Sequence, residues 1–134
     1  MKKIIYLLMM SLMVLTSACN NDNQNVIDEE SEIEISTEIL EQTTWKATLT
    51  VYYSSGKEDT YHCMLQFLTE KDGKYVDLDD KSFGNFTYSI DRKLFSFRNF
   101  YYSGEYIVTK ATNNKIVLQN YSPEKTVIVM EKQY

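Results

Sequence analysis

The chain has 134 residues, with 14 Lys and Arg against 19 Asp and Glu, only four glycines and one proline. This length predicts a single domain, and the composition excludes a collagen-like or Pro/Gly-rich linker protein. The acidic excess lies in residues 20–41, which hold eight acids and no base, whereas residues 42–134 hold eleven acids and twelve bases, a balance of +1. Nucleic acid is therefore not an expected partner, because neutralising phosphates requires a concentrated basic face.

The chain begins with a pattern that is typical of a secretory signal. Lys2 and Lys3 precede an apolar run from Ile4 to Leu15, and the small residues Thr16-Ser17-Ala18 follow. The apolar run holds about a dozen residues, short of the ~20 that span a bilayer as a helix. A retained transmembrane helix is thus the less favoured alternative, and residues 1–18 are predicted to be a signal peptide.

Cys19 follows directly, where the apolar run gives way to asparagine and aspartate. The segment resembles a bacterial lipoprotein signal, in which a small residue precedes a cysteine that becomes diacylated and N-terminal. The resemblance implies a lipid anchor at Cys19 in the bacterial cell envelope. Because Asn20 rather than Asp follows, it implies the outer membrane, on the periplasmic side or at the cell surface. The alternative is ordinary signal peptidase, which would cut the same bond after Ala18 and leave a free thiol.

Residues 19–41 are predicted to form a lipidated acidic tether. They carry no aromatic residue, and a polar, self-repelling segment cannot bury enough surface to fold alone. The spacing of Ile33, Ile35 and Ile39-Leu40 indicates that the end of this segment docks against the domain as a short helical turn.

From residue 42 onward, short segments with a period of two predict β-strands. The first two are "WKATLTVYY" and "TYHCMLQFL", and "EKDG" then supplies an Asp-Gly hairpin signal before "KYVDL". The remaining predicted strands are "NFTYSI", "LFSFRNF", "GEYIVTK", "KIVLQNY" and "KTVIVMEK". About eight short strands with short links predict an all-β, antiparallel up-and-down meander, which forms a small barrel or a strongly curled sheet.

Four of these segments share a further pattern over the 95 residues from Leu40 to the C-terminus. A Trp opens the first strand in "TTWKATL", a Lys-Asp-Gly turn closes "LQFLTEKDGKY", and "GNFTYSIDRKLFSF" and "GEYIVTKATNNKIVLQ" follow. Together they resemble the small lipocalin-like domains of secreted bacterial lipoproteins. One departure is Thr43, at a place where lipocalins usually have glycine. The resemblance implies a lipocalin-like β-barrel domain over residues 42–134, which can hold a small apolar ligand.

The sequence supports catalysis poorly. The single histidine, His62, alternates with Cys63 along a predicted strand, whereas a Cys–His couple needs both side chains on one side. His62 is expected to face solvent and Cys63 the core. Asp77, Asp79 and Asp80 offer oxygen ligands, but their spacing does not match a calcium loop of the EF-hand type. No Gly-rich phosphate loop, CxxC or HExxH segment occurs, so neither an enzyme nor a cofactor or metal site is predicted.

Residues 42–134 are rich in aromatic side chains, with ten Tyr, six Phe and one Trp. An eight-stranded barrel has an interior just wide enough to be filled by side chains or to hold one small ligand. The candidate ligand-binding residues face this interior by parity and are Trp45, Tyr53, Phe86, Tyr88 and Tyr106. The run "RNFYYSG" is a candidate surface contact, because a strand cannot bury three consecutive rings, and it comprises Arg98, Phe100, Tyr101 and Tyr102.

Two functions are expected from these patterns. The leading one is a non-enzymatic, lipid-anchored envelope protein that binds a small apolar or amphipathic ligand in or at the mouth of a small β-barrel. The alternative is a protein–protein interaction module, such as an accessory subunit or inhibitor, with a filled barrel and "RNFYY" as its contact. The two differ in the interior between Tyr53, Phe86 and Tyr106, which is open in the first and packed in the second.

Overall fold

The structure, a computed structural model, describes residues 31–134. Residues 1–30, with the predicted signal peptide, Cys19 and the first part of the predicted tether, lie outside the described residues. The described chain contains a short helix, α1 (Thr37–Leu40), and its strands are β1 (Thr43–Tyr52), β2 (Glu58–Phe67), β3 (Asp72–Asp77), β4 (Phe83–Asp91), β5 (Leu94–Arg98), β6 (Gly104–Ala111), β7 (Lys115–Asn120) and β8 (Lys125–Gln133). Within this part of the chain, no helix is long and apolar enough to cross a membrane.

The eight strands form one closed antiparallel barrel. Each strand pairs with the next along the chain, and β8 pairs with β1, so that Trp45 has Leu65 as its register partner on one side and Lys132 on the other. Within residues 31–134, closure pairs every strand of the sheet on both sides, so this sheet has no open edge. The predicted all-β, up-and-down meander of eight strands is therefore confirmed, and it closes into a barrel.

The period of two in the sequence becomes the inside and outside of the barrel. In β1, Trp45, Ala47, Leu49 and Val51 are buried, while the residues between them are exposed or half-buried. The same alternation in the other strands places their inward-facing side chains, which are mostly apolar, in a single core. The regular pattern is interrupted in β6, where a β-bulge between Val108 and Lys110 shifts the register against β7.

The two ends of the barrel differ. The connections after β1, β3, β5 and β7 lie at one end, which we call the loop end, because consecutive strands run in opposite directions. The chain enters β1 at the opposite end, which we call the helix end, because α1 lies there. Leu40 of α1 is fully buried, and Ile35 belongs to the same core. The predicted docking is therefore confirmed for Ile33, Ile35 and Leu40, whereas Ile39 is exposed. The predicted helical turn is confined to α1.

The helix end is held by side-chain hydrogen bonds that run through Thr43. The Thr43 hydroxyl donates to the backbone carbonyl of Leu40, and the indole Nε1 of Trp45 donates to Thr43 Oγ1 at 2.7 Å. This pairing gives the buried indole nitrogen a partner, which a buried donor requires. Thr43 thereby links the last residue of α1 to the first buried ring of β1.

Two glycines make room for rings on neighbouring strands. Gly73 pairs with Phe86, and a Cβ at position 73 would lie 2.2 Å from the Phe86 ring. Gly84 pairs with Tyr75, and a Cβ there would lie 2.7 Å from the Tyr75 hydroxyl oxygen. Each ring thus covers the backbone of the glycine across from it, and β3 and β4 pack closely as a result.

Candidate functional site at the loop end

The candidate ligand-binding residues occupy different levels of the barrel. Tyr88 lies toward the helix end, where its hydroxyl donates to the backbone carbonyl of Thr69, and Trp45 lies near α1. Tyr106 lies toward the loop end, because its hydroxyl donates to the carbonyl of Tyr102 at 2.7 Å. These three side chains and Phe86 are buried, whereas Tyr53 is half-buried just beyond the end of β1. The structure therefore does not gather the five residues around one space.

Aromatic rings fill the interior between these levels. The Phe97 ring centroid lies 5.6 Å from that of Phe86 and 6.1 Å from that of Tyr106, so it occupies the space between them. The series continues toward the helix end, with Phe95 4.7 Å from Phe97 and 5.9 Å from Tyr88. All five rings are buried. The described interior is thus packed with the protein's own side chains, at distances typical of favourable ring contacts.

A further interior ring at the loop end comes from a loop rather than from a strand. Phe100 is only 4% exposed, and its ring centroid lies 5.2 Å from that of Tyr75 and 5.5 Å from that of Phe97. The loop is fixed by Ser103, whose backbone N–H donates to the Phe100 carbonyl and whose hydroxyl oxygen accepts from the Phe100 N–H. Phe100, predicted as part of a surface contact, therefore lies in the core.

The other residues of the predicted surface contact lie at or near the surface. Tyr101 is 48% exposed, and Tyr102 is half-buried with its ring centroid 5.4 Å from that of Tyr61. Arg98 is exposed at the end of β5. The rings of Tyr101 and Tyr102 are themselves 5.4 Å apart. We call Tyr61, Tyr101 and Tyr102 the tyrosine rim, since they form a connected aromatic surface at the loop end.

A buried carboxylate supports the tyrosine rim from below. Asp77 is 6% exposed and accepts a 2.6 Å hydrogen bond from the Tyr101 hydroxyl. It also accepts the backbone N–H groups of Asp79 and Asp80, at 2.8 and 3.1 Å. The Tyr101 hydrogen bond is the largest cause of a lowered pKa for Asp77, which burial opposes and the two N–H bonds reinforce. Asp77 therefore shapes its own loop and holds Tyr101 in place.

This arrangement predicts an acid-dependent loss of stability. Because the pKa of Asp77 is lower in the folded state than the ordinary value, its contribution is present above about pH 4 and is lost as the pH falls further. Between pH 5 and pH 3, the free energy of unfolding should therefore fall less in Asp77→Asn than in the wild type. Tyr101→Phe removes the hydrogen bond that lowers the pKa of Asp77 most, so the fall in its free energy of unfolding should be intermediate between those of the wild type and Asp77→Asn. Urea unfolding at a series of pH values measures this, and parallel curves for the three proteins would contradict it.

His62 and Cys63 face opposite sides of β2. The His62 side chain is on the outside, where Nδ1 lies 3.4 Å from Asp79 Oδ1. Cys63 is buried, and burial, together with the charges of Asp77 and Asp79, raises the pKa of its thiol to about 12. The thiol is thus protonated at neutral pH, and a protonated thiol is a poor nucleophile. Among the described residues, no three His, Cys, Asp or Glu side chains are placed to hold a metal ion.

Comparison of the chain with protein families, with curated proteins and with solved structures finds no match. The side chains at the loop end define the chemistry available there. The tyrosine rim offers aromatic faces and hydroxyl groups, and the carboxylate beneath it is already engaged in three hydrogen bonds. Aromatic faces and hydroxyl groups of this kind are common in protein interfaces.

Proposed function

We propose that this chain is a non-catalytic binding module of the bacterial cell envelope, which contacts a protein partner with the outside of a filled barrel. The observation that carries the proposal is the ring of Phe97, which fills the space between Phe86 and Tyr106. When a barrel's interior is filled by its own side chains, another molecule can be recognised only at the outer surface and the rim.

Exposed aromatic rings support contact through the outside. Phe83 on the barrel wall is 81% exposed, Tyr121 is 67% exposed, and Tyr101 belongs to the tyrosine rim. Aromatic residues are enriched in protein–protein interfaces, where they contribute a large share of the binding energy. The proposed role is therefore an accessory subunit or an inhibitor.

Binding of a small apolar or amphipathic ligand at the loop end is the second candidate. It is favoured by one observation, which is that Phe100 closes the loop end from a loop. An outward movement of residues 99–103 would expose the rings of Phe86 and Phe97 without breaking a strand pairing. The resemblance to lipocalin-like domains of secreted lipoproteins supports the same candidate.

Native mass spectrometry of the protein extracted from its own envelope separates the two candidates. A complex with a second polypeptide supports the interaction module, and a mass increase of a few hundred daltons on the single chain supports the small ligand. The bare chain alone, under conditions that preserve a known envelope complex, would contradict both.

We further propose that a lipid on Cys19 anchors the protein in the outer membrane. Cys19→Ala is expected to move the protein from the membrane fraction to the soluble fraction, because the chain would lose its acyl anchor. Cys63→Ala is the matched control, since it removes the buried thiol and should leave the protein in the membrane fraction. Unchanged membrane association of Cys19→Ala would contradict the lipid anchor.

A further inference from the structure

A row of apolar side chains crosses the outer wall of the barrel. Met64 on β2, Val76 on β3 and Phe83 on β4 are successive register partners, so they lie side by side across three strands. Val76 is 42% exposed, and Phe83 is the more exposed of the two. This outer face of an antiparallel strand is where polar side chains are expected. We call these three residues the outer apolar row.

The outer apolar row borders a groove in the barrel wall. The groove has a volume of about 540 Å³. Its other outward-facing lining residues form the neighbouring row across β1 to β4 and are Thr44, Gln66, Lys74 and Asn85. The groove therefore combines an apolar side with a polar side, as the core and rim of a protein interface do.

Among the described residues that line the groove, Lys74 is the charged one, and there is no Asp or Glu. Lys46 extends the outer apolar row beside Met64. Its register partner on the other side is Glu131 of β8, whose opposite charge offsets that of Lys46. Lys74 has no carboxylate within ion-pair distance in the described part of the chain. An acidic partner would meet the Lys74 ammonium group there.

We propose that this groove binds an acidic peptide segment of a protein partner. One apolar side chain of the segment packs against the outer apolar row, and a carboxylate of the segment lies at Lys74. The proposal rests on the proposed function and names the chemistry of the partner. Removing the apolar area of the exposed Phe83 ring from water favours binding, and Lys74 selects the charge of the segment.

The test measures the binding of three labelled octapeptides to the full chain by fluorescence anisotropy. All three carry a central Phe-Leu pair, flanked by Glu, by Ser or by Lys. The acidic peptide is expected to bind at least tenfold more tightly than the basic one, and its affinity should fall as the salt concentration rises. Phe83→Ser should weaken binding of the acidic peptide at least fivefold. Lys74→Glu should remove the preference for the acidic peptide over the basic one.

Ile107→Ser is the matched control, because Ile107 is an exposed apolar residue on β6, which is not among the strands that line the groove. It should leave binding unchanged, and circular dichroism should show all variants folded. Equal binding of the three peptides, or equal effects of Phe83→Ser and Ile107→Ser, would overturn the proposal. So would a dimer of the chain that Phe83→Ser dissociates, because the groove would then belong to a second copy.

A partner found with the native protein gives a separate test. If that partner is retained in full by Phe83→Ser and Lys74→Glu, the groove is not its binding site and the proposal fails, while the proposed function stands. If the chain carries no polypeptide partner and no peptide binds, both fail. Loss of the native partner from Phe83→Ser, but not from Ile107→Ser, supports both.

Discussion

Phe86→Ala is expected to destabilise the barrel by about 3–5 kcal/mol, the range for removing a fully buried phenyl ring. Phe86 is only 1% exposed, and its ring contacts those of Phe67, Tyr88, Phe97 and Phe100, with centroids 5.4 to 6.2 Å apart. Because these rings come from three strands and a loop, the neighbours cannot collapse into the space without moving the barrel wall. The change in the free energy of unfolding is measured by urea denaturation.

Phe83→Ala provides the control on the same strand and for the same residue type. Phe83 faces outward three residues before Phe86, so its removal should change the free energy of unfolding by less than about 0.5 kcal/mol. A large effect at both positions would mean that the outward ring is also packed. A small effect at both would mean that the interior is loosely filled. Either result would contradict the packing described above.

Much of the fold could be predicted, because each strand carries its own alternation. In β1, every second residue from Trp45 to Val51 is buried. The links between strands are short, so antiparallel pairing of consecutive strands was the simplest prediction, and the structure has this order. Parity failed where a strand ended. By alternation alone, Tyr53 would be the next inward-facing residue of β1. However, β1 ends at Tyr52, and the chain turns through residues 54–56. The position of a strand's last residue depends on the turn chemistry more than on the alternation.

The candidate site at the loop end was harder to predict, because its residues come from segments that are distant in sequence. The sequence "RNFYYSG" indicated that at least one ring is exposed, but not that Phe100 turns inward while Tyr101 turns outward. That choice depends on Tyr75 and Phe97, which are distant in sequence and surround the Phe100 ring. Likewise, Asp77 looked like one of three loop acids, and only the fold brings the Tyr101 hydroxyl to it.

The outer apolar row leaves a signal in the sequence that the alternation of a single strand does not reveal. Met64 stands on the outward parity of β2, between His62 and Gln66, and Val76 stands two residues after Lys74 on the outward parity of β3. Phe83 directly precedes Gly84 and the predicted strand "NFTYSI". Singly, exposed apolar residues are common and mean little. The register makes them significant, since it aligns the three side chains across β2, β3 and β4. Register was not predictable from the strands taken one at a time.

Gly73→Ala is expected to destabilise the protein even though it improves the intrinsic preference for a strand. Alanine is favoured over glycine within a strand by roughly 0.5–1 kcal/mol. The new Cβ, however, would lie 2.2, 2.6 and 2.7 Å from three carbons of the Phe86 ring. That ring is enclosed by other rings and cannot swing aside, so overpacking should dominate, at a cost of about 1–3 kcal/mol.

A double-mutant cycle with Phe86→Ala makes this prediction specific, because the sign of the effect should reverse. Once the Phe86 ring is absent, the three closest contacts of a Cβ at position 73 are removed, and Gly73→Ala should stabilise the Phe86→Ala protein by about 0.5 kcal/mol. The cycle therefore isolates the contact between one backbone position and one ring. Additive effects in urea denaturation would mean that the Phe86 ring does not cover Gly73, and the close packing of β3 on β4 would have to be attributed to other contacts.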